Sequence, residues 1–486
     1  MEVLNKKITK PVDRPVKVLQ FGEGNFLRAF VDYMIDVANE KEVFQGNIAI
    51  VKPIAYGNLD RFHRQDNQYT LSLRGKEEGE AKIINRVITS IDDAVCSVEE
   101  YDKYASYAKL DTLRFLISNT TESGIVYDET DSFELQPPKT FTGKCTKLLY
   151  ERFTYFNGAK DKGLILIPCE LIEDNGTTLK KYILKFANQW NLGKEFIHWI
   201  EESCIFCNTL VDRIVTGYPR EEAENIWKDL GYQDDLLDVC EIFGLWVIES
   251  EKDISKEFPL HKVGLPVIFT ENQKPYRERK VRILNGAHTS FVLASFLAGN
   301  DFVLESMEDK DIREFVIKTI YDEIIPTLTL PKEELIAFAD SVIERFENPY
   351  IKHALLSISL NSVSKWKTRC YPSFVDYTKK FGKLPTHLSF SIAALMKFYQ
   401  SQDLGENSLT SNREGETYQI MDDRDVLEFF AKASSLPVRD FVQSFLSNEK
   451  FFGEDMTKYD GLVSLVTKYL ENINQYGMRE AIKMIQ

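Results

Sequence analysis

Val16-Lys-Val-Leu-Gln-Phe21-Gly22-Glu-Gly24-Asn25-Phe-Leu-Arg-Ala-Phe30 carries the chain from its first long apolar run, through two glycines, into apolar residues at helical spacing. A strand that ends in a glycine turn and passes at once into a helix is the first half of a βαβ unit. Gly22 allows the tight turn, Gly24 lets backbone N–H groups approach a phosphate, and the positive end of the helix favours the anion. The third glycine of the G-x-G-x-x-G pattern is absent, with Leu27 in its place. The turn therefore offers Phe21, Gly22, Gly24, Asn25 and Phe26 as candidate cofactor-binding residues.

Working outward, short aliphatic runs recur at 48–51, 113–118 and 163–168, and helix-like stretches occupy 25–40, 178–190 and 221–230. This alternation predicts an α/β doubly wound sheet, a Rossmann-type dinucleotide-binding domain. Beyond about residue 279 the texture changes. The stretches 312–321, 332–346, 390–399, 423–433 and 461–473 carry apolar residues three and four apart, which predicts a mainly α-helical C-terminal domain. Pro259, Pro266 and Pro275 mark the crossing, so the expected division is 1–260 and 261–486. The polar run 405–415, with a glycine at each end, predicts a long surface loop.

With 486 residues, 43% of them hydrophobic, the chain has material for at least two cores. A net charge of −15 argues against a general nucleic-acid binder, and any anionic ligand needs a local basic pocket. The N-terminal residues lack a signal-peptide core and no apolar run reaches membrane-spanning length, so a cytoplasmic protein with no membrane partner is expected. Seven scattered cysteines fit reduced thiols. Cys204 and Cys207 form a lone C-x-x-C, which reads as two buried small residues, and no metal is expected.

The run Lys280-Val-Arg-Ile-Leu-Asn285-Gly286-Ala-His288 sets an ammonium, an amide and an imidazole at intervals of five and three. At about 100° per residue, Lys280, His288 and Asn285 fall near 0°, 80° and 140° on a regular helix, one broad face. A lysine can exchange a proton, while an amide and a neutral imidazole can hold an oxygen gaining negative charge. On the cofactor side, Lys52 and Pro53 stand where the second strand of a dinucleotide fold usually ends in an acid that binds ribose. Lys52 could tolerate a 2′-phosphate or point into water, so the residues leave NAD and NADP both open. The polar turn after 113–118 supplies Asn119, Thr120 and Glu122 as candidates for the edge of the cofactor crevice.

The glycine turn with residues 25–30, the segment Phe206-Cys-Asn-Thr-Leu-Val-Asp-Arg-Ile214 and the Lys280/Asn285/His288 spacing together resemble the polyol-specific long-chain dehydrogenase/reductase family, over nearly the whole chain. Thr216 departs from the Pro or Ser common there. Two further stretches, 118–124 and 355–369, are similar to members that act on keto sugar acids. At Ser357 the mannitol-oxidising members have an Arg that binds polyol hydroxyls, while the family's later Lys is kept as Lys365, and Lys367 and Arg369 add positive charge. The resemblance implies metal-independent, reversible hydride transfer between a nicotinamide, NAD with NADP not excluded, and a ketone. It implies Lys280 as acid and base, Asn285 and Asn175 as oxyanion donors, His288 as the group orienting substrate, and Lys365 as a substrate-binding residue; Arg369, by its charge, is a further candidate for binding a sugar-acid carboxylate. It leaves the protein a monomer or small homo-oligomer. The competing readings are another ketose or polyol as substrate and, from a different class, a non-catalytic nucleotide- or sugar-acid-binding protein.

Overall fold

The computed structural model describes residues 1–121 and 123–486. They form two compact units, one of residues 1–75 and 82–273, the other of residues 76–81 and 274–486.

The first unit is built on six parallel strands: β1 (Val16–Phe21), β2 (Asn47–Lys52), β3 (Ile91–Cys96), β4 (Phe115–Ser118), β5 (Ile165–Pro168) and β6 (Ile205–Phe206). Their spatial order is β3-β2-β1-β4-β5-β6, so the winding reverses between β1 and β4, the switch point at which such sheets take ligands. Successive residues of each strand serve opposite faces. Val18, Ile48, Ile50, Ile117 and Ile167 join one core with Phe30, Val31, Met34 and Ile35 of the helix α1 (25–40). Leu19, Phe21, Val51, Leu116 and Leu166 join the other with the helices Phe141–Tyr155, Asn175–Gln189 and Lys194–Ser203. Each such side chain, fully buried, contributes roughly 1.5–3 kcal/mol, so the sheet is held chiefly by its two covered faces.

Two smaller sheets, which the helix and strand periods did not announce, complete this unit. One orders Val215–Gly217, Asp238–Glu241, Tyr69–Glu77 and Glu80–Ile88; the other orders Val267–Thr270, Leu245–Glu249 and Asn208–Asp212. The second corrects the expected boundary. Val267–Thr270 pairs in parallel with Leu245–Glu249, so residues 261–273 belong to the first unit and the chain crosses over after Gln273. The hairpin tip 76–81, by contrast, is part of the second unit, where the Lys76 ammonium meets the Glu347 carboxylate and the Gly79 N–H donates to Glu344 at 3.2 Å.

The second unit is mainly helical. Its longest helix, α2 (274–297), runs as Lys274–Arg279, a π-helical turn Lys280–Asn285, and Gly286–Leu297. α3 is Lys332–Phe346 and α4 is Ser362–Arg369. The helix Thr386–Tyr399 is buried almost all round, packed on the Gly286–Leu297 part of α2 and on Leu462–Tyr476. The buried Glu323 carboxylate accepts the N–H groups of His387 and Leu388 at 2.8 and 2.9 Å, capping its first turn. Residues 405–415 are not the loop expected from their polarity. Leu409–Arg413 and Glu416–Ile420 form a hairpin whose two-residue turn places Glu414 and Gly415 at positive φ, with Leu409 and Ile420 buried opposite each other.

α4 crosses α2 at Gly286. A Cβ there would stand 3.0 Å from the Arg369 carbonyl oxygen, and the Cys370 thiol donates to the Gly286 carbonyl at 3.4 Å. Gly286→Val therefore forces the two helices apart. It is expected to cost about 1–3 kcal/mol, read as a lower urea midpoint; an unmoved midpoint would mean that α4 does not lie against α2 at this position.

Candidate functional site

In the first unit the candidate cofactor residues lie at the carboxyl ends of β1, β4 and β5. Gly22 has φ +121°, its N–H donates to the Val51 carbonyl at 3.0 Å, and a Cβ on it would stand 2.9 Å from the Asn119 carbonyl oxygen. Backbone conformation and space both exclude a side chain there. Gly24 differs. Its φ of −68° suits any residue, and a Cβ would meet nothing within 4 Å. The fold does not need glycine at 24, and what glycine leaves is an open cradle at the start of α1, whose first turn has no side-chain cap. A pyrophosphate fits that cradle, taking N–H groups that would otherwise face water.

The other residues expected around the cofactor divide sharply. The Phe21 ring is fully buried, edge-on to Tyr104 and Phe141, so it is a core residue with only its backbone at the crevice. Asn25 is exposed and accepts a hydrogen bond from Arg28, while half-buried Phe26 stacks on Phe30 at 5.0 Å. The Asn119 amide donates to the Cys169 carbonyl at 3.1 Å. Glu122 lies outside the described residues. Lys52 is buried, with its ammonium donating to the carbonyls of Ile54 and Tyr56 at 2.6 and 3.2 Å, so it does not point into water.

Glu170, which the sequence reading passed over, organises the crevice edge. Its buried carboxylate accepts the Ser118 hydroxyl at 3.0 Å and the Thr120 N–H and hydroxyl at 3.0 and 2.9 Å, tying the ends of β4 and β5 together; burial pushes its carboxyl up. An acid two residues past the apolar run 165–168 was the available signal. Asn175 lies just past the end of β5, at the start of the helix Asn175–Gln189. Its amide N–H groups are shared among the carbonyls of Pro168, Glu170 and Thr209 and the Thr209 hydroxyl at 3.1–3.3 Å, and its oxygen accepts the N–H groups of Gly176 and Thr209. Asn175 therefore ties the end of β5 to the strand Asn208–Asp212. Arg213, from the second signature, is structural as well: it donates to the carbonyls of Ala29, Ile242 and Phe243 and so anchors α1.

In the second unit, the π-helical turn changes the expected face. A bond spanning five residues, seen in the Gly286 N–H returning to the Val281 carbonyl, widens the helix by one residue. Residues five apart then lie nearly one above the other, so half-buried Lys280 and Asn285 are brought closer in angle than on a regular helix. His288 follows one turn later. Its ring packs on Phe346 at 4.2 Å and stands edge-on to His353 at 5.5 Å, and its Nε2 is buried with no hydrogen-bond partner among the described residues. Burial, with the neighbouring charges of His353, Arg345, Arg369 and Lys365, holds the His288 pKa well below the usual histidine range.

Lys365 and Arg369, one turn apart on α4, both act electrostatically on His288. The Lys365 ammonium also donates to the Ile358 carbonyl at 2.9 Å, and burial lowers the pKa of both groups. Lys367 turns away, toward the Lys450 carbonyl at 3.4 Å. Arg282 is ion-paired with Asp376 at 2.6 Å, so it is not an uncompensated charge near Lys280. Ser357 bonds locally to the Ala354 carbonyl. Arg345 and His353 had no signal in sequence spacing, because they stand on other elements far along the chain.

A Rossmann sheet with an open glycine cradle, and a helical unit bearing lysine, amide and imidazole, define a dinucleotide-dependent oxidoreductase. The chain belongs to the mannitol dehydrogenase family: residues 16–262 match the family's Rossmann domain and residues 272–474 its C-terminal domain. It is 42% identical to an altronate oxidoreductase of Yersinia enterocolitica and 44% identical to one of Shigella flexneri, each over 99% of both chains. Among solved structures it is similar in fold to a D-sorbitol dehydrogenase (TM-score 0.79, 22% identity, 99% of this chain and 100% of that one). It is also similar to a Pseudomonas fluorescens mannitol 2-dehydrogenase solved with NAD and D-mannitol (TM-score 0.65, 22% identity, 100% and 99%). The protein is an NAD-dependent oxidoreductase acting on CH–OH groups, as the resemblance implied. No helix among the described residues is long and apolar enough to cross a membrane.

Two outcomes test these assignments. Gly24→Val should leave the melting temperature within a degree or two while weakening NADH binding at least tenfold, because its side chain fills the cradle without straining the fold; equal NADH affinity would move the pyrophosphate elsewhere. Since its pKa is lowered, His288 should stay a neutral imidazole as pH falls through 6.5, in nitrogen-15 spectra of the histidines. An imidazolium signal for His288 at pH 6.5 would contradict its burial.

Proposed function

We propose that the chain reduces D-tagaturonate to D-altronate with NADH, and catalyses the reverse oxidation. The observation that carries the choice of a sugar acid is the convergence of Lys365 and Arg369 on His288, in a chain whose net charge is −15. A carboxylate is the natural counter-charge for such a site, and guanidinium and ammonium groups bind it by charge-assisted hydrogen bonds. The altronate oxidoreductases that match the chain end to end support the same choice.

When bound, NADH supplies the hydride that reduces the ketone carbon. The residues of the chain manage the oxygen. The Lys280 ammonium gives its proton to that oxygen as the carbon is reduced, and Asn285 donates an amide N–H to it while negative charge builds. A neutral His288 can donate from one ring nitrogen and accept at the other, which suits a substrate hydroxyl. Ketone, hydride and proton become a secondary alcohol, and in oxidation the neutral Lys280 amine takes the proton back. Asn175, the second amide expected at that oxygen, also fixes the strand ends on which the crevice is built.

The test is the rate of NADH oxidation with D-tagaturonate beside D-fructuronate, D-fructose and fructose 6-phosphate. D-tagaturonate is expected to be preferred, with no loss in a chelator; a preference for a neutral ketose would overturn the carboxylate reading. Lys280→Ala should lower turnover roughly a hundred- to ten-thousandfold and recover partly with added amines. Asn285→Ala should lower it about a hundred- to a thousandfold at similar NADH affinity. Near-normal turnover in either variant would remove that residue from the mechanism.

A further inference from the structure

The helix that begins at the glycine cradle, α1, holds a buried charge cluster one to two turns in. Over Arg28–Asp32 its backbone opens into a π-helical turn, and the Arg28 carbonyl accepts the Tyr69 hydroxyl at 2.7 Å. The same hydroxyl reaches Asp32 Oδ2 at 3.2 Å. The buried Arg28 guanidinium runs back toward the start of the helix. It lies over the Tyr69 ring at 5.0 Å, donates to the Leu236 carbonyl and the Asn25 amide oxygen at 2.5 Å each, and stands 3.8 Å from Asp238. Asn25, so held, lies against Gly217, where no Cβ would fit. Its side chain does not cap the helix, and the N–H groups of the first turn stay open to a phosphate.

One guanidinium, close to Asp238 and joined to Asp32 through Tyr69, thus stands among two buried carboxylates. Asp32 Oδ1, Asp238 Oδ2 and Arg28 Nε have no hydrogen-bond partner among the described residues. The groups that face Asp32 are Arg28 on its own helix, Tyr69 and Asp238 on two paired strands, and the uncharged Gln20 on β1. The nearby acids are engaged elsewhere: Asp36 pairs with Arg86 at 2.7 Å, and Asp234 accepts the Gln65 amide and the Leu236 N–H at 2.8 and 2.9 Å. The cluster therefore has one negative charge more than its cation offsets, and burial pushes the carboxyls of Asp32 and Asp238 up to about 7 and about 6. At 1.5 Å per residue, Asp32 lies roughly 10 Å along the axis from the cradle, a span over which a buried charge still feels an anion. We propose that Arg28, Asp32 and Asp238 are positioning residues of the cofactor turn, and that the two carboxylates take up one proton from solvent when a pyrophosphate binds at Gly24. Arg28 keeps Asn25 and the first turn in place, and the proton removes the surplus charge that would repel the phosphates. Binding and proton uptake are then linked, so the cofactor binds more tightly below neutral pH than above it. The inference rests on the cradle and not on the choice of sugar substrate.

ADP-ribose has the pyrophosphate without the nicotinamide, and its titration into the full chain, by calorimetry in buffers of different ionisation enthalpy, reads this without turnover. About 0.3–0.6 proton should be taken up per site near pH 7.5, and the affinity should fall roughly three- to tenfold between pH 6 and pH 9. Asp32→Asn, isosteric with the protonated acid, should bind with no proton uptake and with an affinity that changes less than about twofold over that range. Asp238→Asn removes the surplus charge and should behave alike, so it decides the question if Asp32→Asn does not fold. No proton uptake by the parent protein, or the same uptake in the folded variants, would overturn the inference. The cradle stands or falls separately, on the NADH affinity of Gly24→Val.

Discussion

Backbone can lie against backbone only where no side chain intervenes, and each unit places its own candidate residues around such a point. In the first, Gly22 lets the end of β1 turn beneath the Asn119 carbonyl, so that β1 and β4 finish side by side at the reversal of the sheet. In the second, Gly286 lets α4 cross α2 with the Arg369 carbonyl 3.0 Å from a would-be Cβ, and this sets Lys365 and Arg369 near His288. Hydrophobic burial holds the layers together, but it is non-directional; the glycine contacts decide which polar groups meet.

Around these points the polar side chains separate by what already engages them. Asn175, Lys52, Arg213 and Arg282 are committed to carbonyls, hydroxyls or a carboxylate of the protein itself. Removing Asn175 or Arg213 would leave buried partners unsatisfied, a cost to stability. His288 is the opposite case: an imidazole kept neutral by burial and neighbouring cations, with a buried nitrogen that no described residue engages. Glu170 stands between the two, a buried carboxylate that touches no expected substrate but fixes Ser118 and Thr120 at the crevice edge.

Much of the architecture was legible because it rests on local periodicity. The aliphatic runs became β1, β2, β4 and β5, and the three- and four-residue spacing became helices at 332–346 and 462–476. The rest depended on partners distant in sequence. Val267–Thr270 is a strand because Leu245–Glu249 lies beside it, which no window around residue 267 reveals. The hairpin over 409–420 was hidden by polar residues on its solvent face, although Glu414-Gly415 is a recognisable two-residue turn. Lys280, Asn285 and His288 are candidates by their spacing, yet the π-helical turn that realigns them has no sequence signature. Phe346 and His353 meet the same imidazole only because folding brings α3 and the 351–354 segment to His288.

The most direct test of the account is to incubate the protein with D-tagaturonate and NADH carrying deuterium at C4 of the nicotinamide, prepared in each of its two configurations, and to read the product by NMR. Hydride transfer to the ketone of a sugar acid predicts D-altronate as the single product, with one deuterium on the former ketone carbon from one configuration of NADH and none from the other. A product without deuterium at that carbon, or an unreacted keto acid in a protein that reduces a neutral ketose, would contradict it.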